Sequence, residues 1–193
     1  TGATGASGVG VSGATGATGG VGATGAVGVT GAVGATGPTG PEDTALLGAV
    51  SYFSLTGTAV SIVAQSTGLN NFVKASPVTV VTAQSVGFDN GGANNGRLRY
   101  TGATAKTFHC TATLSFAGGK EDTFCAAIAH NTTIHQESRT MVKMTANGDL
   151  RALALSGLIE LQPNEFIELW VANMSDTDDP TVYTMNLSAI GVD

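Results

Sequence analysis

Residues 106–116, Lys-Thr-Phe-His-Cys-Thr-Ala-Thr-Leu-Ser-Phe, alternate without a break between apolar and polar side chains. Phe108, Cys110, Ala112, Leu114 and Phe116 fall on one side of an extended chain, and Thr107, His109, Thr111, Thr113 and Ser115 on the other. Period two marks a strand covered on a single face. Further strands are predicted at 49–55, 59–64, 78–88, 123–131, 137–144, 150–161, 166–173 and 182–192. Turn clusters separate them: Asp89-Asn90-Gly91-Gly92, Gly118-Gly119, Asn147-Gly148-Asp149, Gln162-Pro163-Asn164, and residues 175–180. No segment carries a sustained helical stripe. About eight to ten short strands at this spacing predict an all-β, two-sheet sandwich, of which the jelly roll is a common form.

The chain upstream follows a different rule. Gly10, Gly13, Gly16, Gly19, Gly22, Gly25, Gly28, Gly31, Gly34, Gly37 and Gly40 recur in strict period three. Three polyproline-II-like chains wound about one axis leave no room there for a side chain, so every third residue must be glycine. One chain alone cannot use that pattern, and the repeat predicts a collagen-type triple helix and a parallel homotrimer. A flexible Gly-rich linker would not hold phase over eleven triplets. A bundle of glycine-rich passes would need turns, and a strand has the wrong period. Gly2, Gly5 and Gly8 run in another phase, because Gly8-Val9-Gly10 lacks one residue of a triplet; the rod is expected to loosen there. Proline occurs in the repeat only at Pro38 and Pro41. So few imino acids leave each chain more entropy to lose on ordering, and the stalk is expected to depend on the following domain for trimerisation.

Composition changes abruptly at Glu42. All eight basic and fourteen acidic residues lie there or beyond, which divides the chain into a stalk, 1–41, and a head, 42–193. The head is long enough to bury one core. A net charge of -6, tripled in a trimer, argues against nucleic acid and anionic membrane surfaces as partners. No apolar run is long enough to span a bilayer, so no membrane insertion is expected. The first residue falls inside a repeat, and a missing N-terminal anchor to a particle is expected. Cys110 and Cys125 could form one bridge, but two cysteines do not make a disulfide framework, and buried free thiols are the favoured reading.

A collagen-like stalk followed by an all-β head of this size resembles the collagen-stalked proteins with tumour-necrosis-factor-like or complement-type jelly-roll heads, found in virus and phage fibres and spore-surface filaments. Leu161-Gln162-Pro163-Asn164-Glu165-Phe166-Ile167-Glu168-Leu169 is similar to the stretch leading into the penultimate strand of such heads, with Asn-Glu in place of the usual Gly-Asp. The closing stretch 183–192 is similar to their central inner-sheet strand. The resemblance implies that the inner sheets of three heads pack around a threefold axis. It also implies that the loops 66–76, 117–121, 146–149 and 175–180 form a tip away from the stalk.

Little in the chain points to catalysis. His109, His130 and His135 include a His-x4-His spacing that puts side chains on opposite faces of a strand, and no third or fourth ligand completes a zinc pattern. No nucleophile elbow or paired-carboxylate motif occurs, so neither an enzyme nor a cofactor is expected. Asp176, Asp178 and Asp179 form the one acidic cluster chemically able to hold a cation, although they lack the glycine and downstream glutamate of a helix-loop-helix calcium site. A solvated acidic turn is the preferred reading, and the same three residues are the candidate attachment loop. Trp170 and Phe166 share a parity opposite to Ile167, Leu169 and Val171, so one set faces the core and the other an intersubunit contact or a covering loop. Of the sequons at Asn131, Asn173 and Asn186, the last falls mid-strand and reads as accidental.

The expected function is a trimeric viral fibre, most simply of a phage, displayed on the virion surface, whose head engages a host-cell surface receptor or glycan. The alternative is a collagen-like filament of a bacterial or spore surface with a protective role. If the repeat forms a triple helix, 10–42 makes a rod of about 100 Å, at ~3.1 Å per residue. Gly25→Ala should then lower the stalk's melting temperature in circular dichroism while leaving the head trimer intact in sedimentation.

Overall fold

The computed structural model describes residues 2–5, 7–32, 45–68, 70–75, 81–82, 85–91 and 96–192. The chain divides into two compact units, Thr1–Pro41 and Glu42–Asp193. In the first, the described residues carry neither helix nor strand and are exposed throughout. A Cβ built on any described glycine of that unit would meet nothing within 4 Å. Gly34, Gly37, Gly40 and both stalk prolines lie outside the described residues.

Twelve strands and one 3-10 turn build the described part of the second unit: β1 Leu47–Ala59, β2 Val73–Lys74, β3 Val81–Thr82, β4 Phe88–Asp89, β5 Arg97–Tyr100, β6 Lys106–Gly118, β7 Thr123–His130, β8 Thr133–Ile134, the turn Gln136–Ser138, β9 Thr140–Lys143, β10 Asp149–Leu161, β11 Phe166–Asn173 and β12 Thr181–Gly191. They form a two-sheet sandwich. One sheet has the order β10-β6-β12-β1-β3. The other runs β4-β5-β11-β7-β8, with β2 added to β11 and β9 to β7. All pairings are antiparallel.

The alternation at 106–116 becomes β6, second in the five-stranded sheet. Phe108, Cys110, Leu114 and Phe116 are fully buried and face Leu98, Tyr100, Phe124, Ile128, Ile167, Leu169 and Val171 of the opposite sheet in one core. Phe108 anchors one end, with ring centroids 4.9 Å from Phe88 and 5.0 Å from Tyr100 in edge-on geometry. Phe116 meets Phe124 at 5.3 Å in the same way. The closing strand β12 lies at the centre of its sheet, between β6 and β1.

The turn before β11 accounts for its departure from Gly-Asp. Asn164 takes φ +71°, the left-handed region that an asparagine enters more readily than other side-chain-bearing residues. The Glu165 carboxylate accepts the Gln162 N–H at 2.8 Å and the Asn131 amide at 2.7 Å, closing the turn onto β7.

Several strand boundaries differ from the sequence reading. No strand covers 59–64: β1 continues to Ala59 through an irregularity between Phe53 and Thr58, where Gly57 takes φ +73°. Residues 60–62 then hang on Val60 N–H to Pro180 O and Ile62 N–H to the Asp179 carboxylate. The predicted strand at 137–144 starts only at Thr140, because Ser138 Oγ donates to His135 O and accepts from Ile128 N–H, tying a 3-10 turn to β7. Within 78–88 the strands are Val81–Thr82 and Phe88–Asp89, and 78–80, 83 and 84 lie outside the described residues. Three short strands, β2, β5 and β8, went unpredicted. Arg97-Leu98-Arg99-Tyr100 does alternate, but over four residues only.

Phe108→Ala removes a ring in contact with two others at a site that is 0% exposed. It should cost the head about 3–5 kcal/mol, read as a lowered urea midpoint with little change in slope.

Candidate functional site

At one end of the sandwich the chain closes β6–β7, β9–β10 and β11–β12, and the three connections meet. Gly148 N–H donates to Gly118 O at 2.9 Å, Lys120 N–H to Asn147 Oδ1 at 2.7 Å, and Thr123 N–H to Ser175 Oγ at 2.9 Å. The opposite end carries Leu47, Lys106, Leu161 and Gly191, as the adjoining registers require. Three of the expected tip loops thus come together, at the end away from the first and last strand termini. In the fourth, Ser66 bonds Asn173 there, but Val73–Lys74 has left the end and lies along β11.

The acidic triplet divides. Asp179 is spent on the 60–62 segment, accepting Ile62 N–H at 2.7 Å and the Ser61 hydroxyl at 3.3 Å. Asp176 and Asp178 instead join Asp122, with one carboxylate oxygen from each lying within 4.8 Å of the others. Asp176 also accepts the Asn173 amide at 2.6 Å and Asp178 N–H at 2.9 Å. Asp122 is 2% exposed and accepts Gly119 N–H at 2.8 Å. Desolvation pushes its pKa up, with the neighbouring Asp176 and Asp178 adding to the rise against the Gly119 hydrogen bond. Sequence reading missed Asp122 because the expected loop ended one residue short, at Glu121. Three carboxylate oxygens fall short of the six to eight a calcium ion takes. What these groups do among themselves is raise the pKa of Asp122.

The histidines are dispersed. His130 Nε2 pairs with Glu165 at 2.8 Å, His109 projects from the outer face of β6, and His135 packs beside Gly157. Cys110 lies in the main core and Cys125 in a second cluster with Phe72, Ala127 and Ala172 on the far side of the seven-stranded sheet; both are free thiols. Ile167, Leu169 and Val171 face the core, as one of the two parities must. Of the other parity, Phe166 lies under the Arg97 guanidinium at 3.6 Å, and the half-buried Trp170 packs on the Phe72 cluster.

The five-stranded sheet turns its second face outward, and register places the residues in rungs. Leu47, Ile190, His109 and Leu158 make one, and Ala49, Ser188, Thr111 and Ser156 the next. Ser51, Asn186, Thr113 and Ala154 follow, then Phe53, Thr184, Ser115 and Ala152. No Asp, Glu, Lys or Arg stands among them. Their polar groups satisfy one another: Thr111 and Ser188 hydroxyls bond at 2.7 Å, and the Asn186 amide donates to Thr113 Oγ1 at 3.2 Å. Phe53 is nonetheless 70% exposed, Leu158 59% and Ile190 54%. Uncharged rungs, small side chains and apolar corners give this part of the sheet a composition that surfaces contacting another protein share. The sequence carried this signal in the outward parity of each strand, but it emerges only once the four strands are placed side by side.

No protein-family model matches the chain, and no curated protein sequence matches it. Solved structures do. The Eiger TNF of S. frugiperda aligns with TM-score 0.50 at 10% identity, covering 77% of this chain and 93% of that one. Murine APRIL aligns at 0.49 with 9% identity over 76% and 99%, and the vertex protein P5 of PRD1 at 0.48 with 11% identity over 77% and 97%. At such identities the likeness concerns the fold alone. The head has a tumour-necrosis-factor-like jelly-roll fold.

Because the folded pKa of Asp122 lies above its ordinary value, the group favours folding below the usual carboxylate range and loses that contribution as pH rises through the folded pKa. Asp122→Asn keeps an acceptor for Gly119 N–H and removes the charge. Its melting temperature should match the parent at pH 4 and exceed it by about 2 °C at pH 8, by differential scanning calorimetry.

Proposed function

We propose that the chain is one subunit of a trimeric fibre: residues 1–41 form a collagen-like triple-helical spacer, and residues 42–193 form the trimerisation and surface-attachment head. The supporting observation is that period-three glycine has no single-chain explanation. Glycine is needed where φ is positive or where another group lies too close for a Cβ. None of the described glycines between residues 2 and 31 has positive φ, and open space surrounds every one. Crowding by two further chains would supply the requirement, since a glycine at every third residue is what the axis of a three-chain helix needs. The head supports the same reading independently through the outer face of β1, β12, β6 and β10, whose four central rungs carry no charged residue and whose nearest carboxylate is Glu160 at the edge of β10, a composition that suits packing around a threefold axis. Asn186 lies in that face, so glycosylation of its sequon is incompatible with assembly.

A spacer carrying a trimeric head suits attachment, and the connections around Asp122, Asp176 and Asp178 lie at the end of the sandwich opposite Leu47 and Gly191. Loops on a rigid sandwich carry recognition while strands carry stability. A virion surface fibre, of a phage in particular, is the preferred setting, because the alanine- and threonine-rich, imino-acid-poor repeat has no need of the proline-rich third position of secreted animal collagens. The partner is then a host-surface receptor or glycan. A protective filament on a bacterial or spore surface is the alternative, and attachment distinguishes the two.

Residues 43–193 alone should sediment as a trimer, and residues 1–41 alone as a disordered monomer. Thr113→Arg, at the centre of the uncharged face, should leave a folded head that sediments as a monomer. A trimer unchanged by Thr113→Arg would place the interface elsewhere. Purified trimeric heads should compete with whole particles for cells, and changing Asp176, Asp178 and Asp179 together to Asn should alter that competition. Absence of any competition by the parent head would favour the filament.

A further inference from the structure

On the outer side of the seven-stranded sheet, away from the uncharged face, lies an open cavity of about 340 Å³. Trp170 of β11 forms one wall, and Asn71, Thr132, Thr133 and Gln136 contribute the polar rim; Phe72 and Ile134 complete the lining. From these features we infer that the cavity is a binding subsite for one neutral hexopyranose unit of a glycan. The inference rests on the attachment reading above and supplies it with a ligand class and a place.

The indole presents carbon to this cavity. Its sole N–H donor is already committed, donating to Glu168 Oε2 at 2.9 Å. Glu168 is itself fully buried and fixed by Lys74 and by Arg97 at 2.9 Å. Hydrogen bonds from these three donors hold its pKa below the usual carboxylate range against desolvation. The ring is therefore held through its N–H by a buried carboxylate that two half-buried cations fix in turn, so the N–H is not offered to a ligand. A flat, immobile carbon surface matches the C–H face of a pyranose.

Around it, the rim supplies groups that a sugar's hydroxyls need. Gln136 carries an amide with both donors and an acceptor, and Thr132 and Thr133 carry hydroxyls. The Asn71 amide nitrogen is held by Gln65 O at 2.8 Å, which leaves its carbonyl as the acceptor to offer. Asn71 and Thr132 take φ of +56° and +71°, so the backbone on both sides of the cavity bends to bring them there. No Asp, Glu, Lys, Arg or His lines the cavity, which selects a neutral ligand. Its volume is at the small end of the ~300–1,000 Å³ of ligand pockets, suited to one ring rather than an extended chain.

Trp170 is the only tryptophan of the chain, so its fluorescence reports this cavity alone. The full chain of residues 1–193 is titrated with methyl α-D-glucopyranoside, methyl α-D-mannopyranoside, methyl β-D-galactopyranoside and N-acetylglucosamine, and with methyl sialoside as the charged counterpart. At least one neutral sugar should change the emission saturably, with a midpoint on the order of 1–10 mM. Gln136→Ala and Thr133→Val should each raise that midpoint about tenfold or more while the trimer sediments unchanged. Trp170→Phe, followed by saturation-transfer NMR, should weaken the sugar signal. No saturable change with any neutral sugar overturns the inference, as do tighter binding of the sialoside and parent-like binding by both rim variants. Competition on whole cells separates the two readings. Heads that compete equally with and without Gln136→Ala overturn the subsite and leave attachment standing, whereas sugar binding by heads that do not compete at all supports the subsite and removes attachment.

Discussion

Register across β10, β6, β12 and β1 is the constraint on which the rest of the head depends. Side chains alternate strictly along a strand, so a slip of one residue would exchange the two faces of the whole sheet. Thirteen consecutive pairs between β10 and β6, from Asp149 with Gly118 to Leu161 with Lys106, fix that choice. The inward rows then carry Phe108, Leu114, Phe116, Leu155, Met185 and Leu187, and the outward rows carry mostly serine, threonine, alanine and asparagine, with Phe53, Leu158 and Ile190 toward their corners. A slipped register would bury hydroxyls without partners and expose the aromatics, so a single apolar decision sets both the core and the assembly face. The shift between Val182 and Thr184 in β12 is confined to the end of the strand, where it leaves the rungs intact.

The seven-stranded sheet solves a different problem, because its outer side is not left bare. Ala127, Cys125 and Ala172 are buried beneath Phe72, and Glu168 is withdrawn from water among Lys74, Arg97 and Trp170. Removing one partner of such a network leaves a buried charge uncompensated, which costs far more than an exposed pair is worth. The two faces of the sandwich therefore differ in kind: one has uncharged central rungs, and the other holds a buried, internally paired carboxylate and a second apolar cluster.

The sequence made the long strands legible because their period was long enough to read. Residues 106–116 alternate over eleven positions, while 150–161 and 166–173 are long apolar-rich runs bounded by turn residues, and each emerges within two residues of its expected ends. Strands of two to four residues, such as β2, β5 and β8, have no period to detect; the pairing of β2 and β5 with β11 makes them strands. The break after Ala59 was equally invisible, since it depends on Asp179, more than a hundred residues away, accepting Ile62 N–H. Local spacing suggested that Asp176, Asp178 and Asp179 act together, whereas tertiary structure assigns Asp179 to the backbone and brings in Asp122 from another connection. Trp170 stood out by parity, but the rim facing it comes from residues 71, 132, 133 and 136, whose adjacency no spacing encodes.

The two cysteines have a consequence for where such a head can fold. Cys110 belongs to the core between the sheets and Cys125 to the cluster outside them, so the two thiols are separated by a layer of sheet. Burial pushes the Cys110 thiol up to about 12 and raises that of Cys125 as well. Only a thiolate attacks a disulfide, so burial and a raised pKa both disfavour exchange of either residue with an external oxidant at neutral pH. The head thus holds its shape by packing and register alone and is indifferent to the redox state of its surroundings. It can be built in a reducing compartment and used in an oxidising one without gaining or losing a covalent bond.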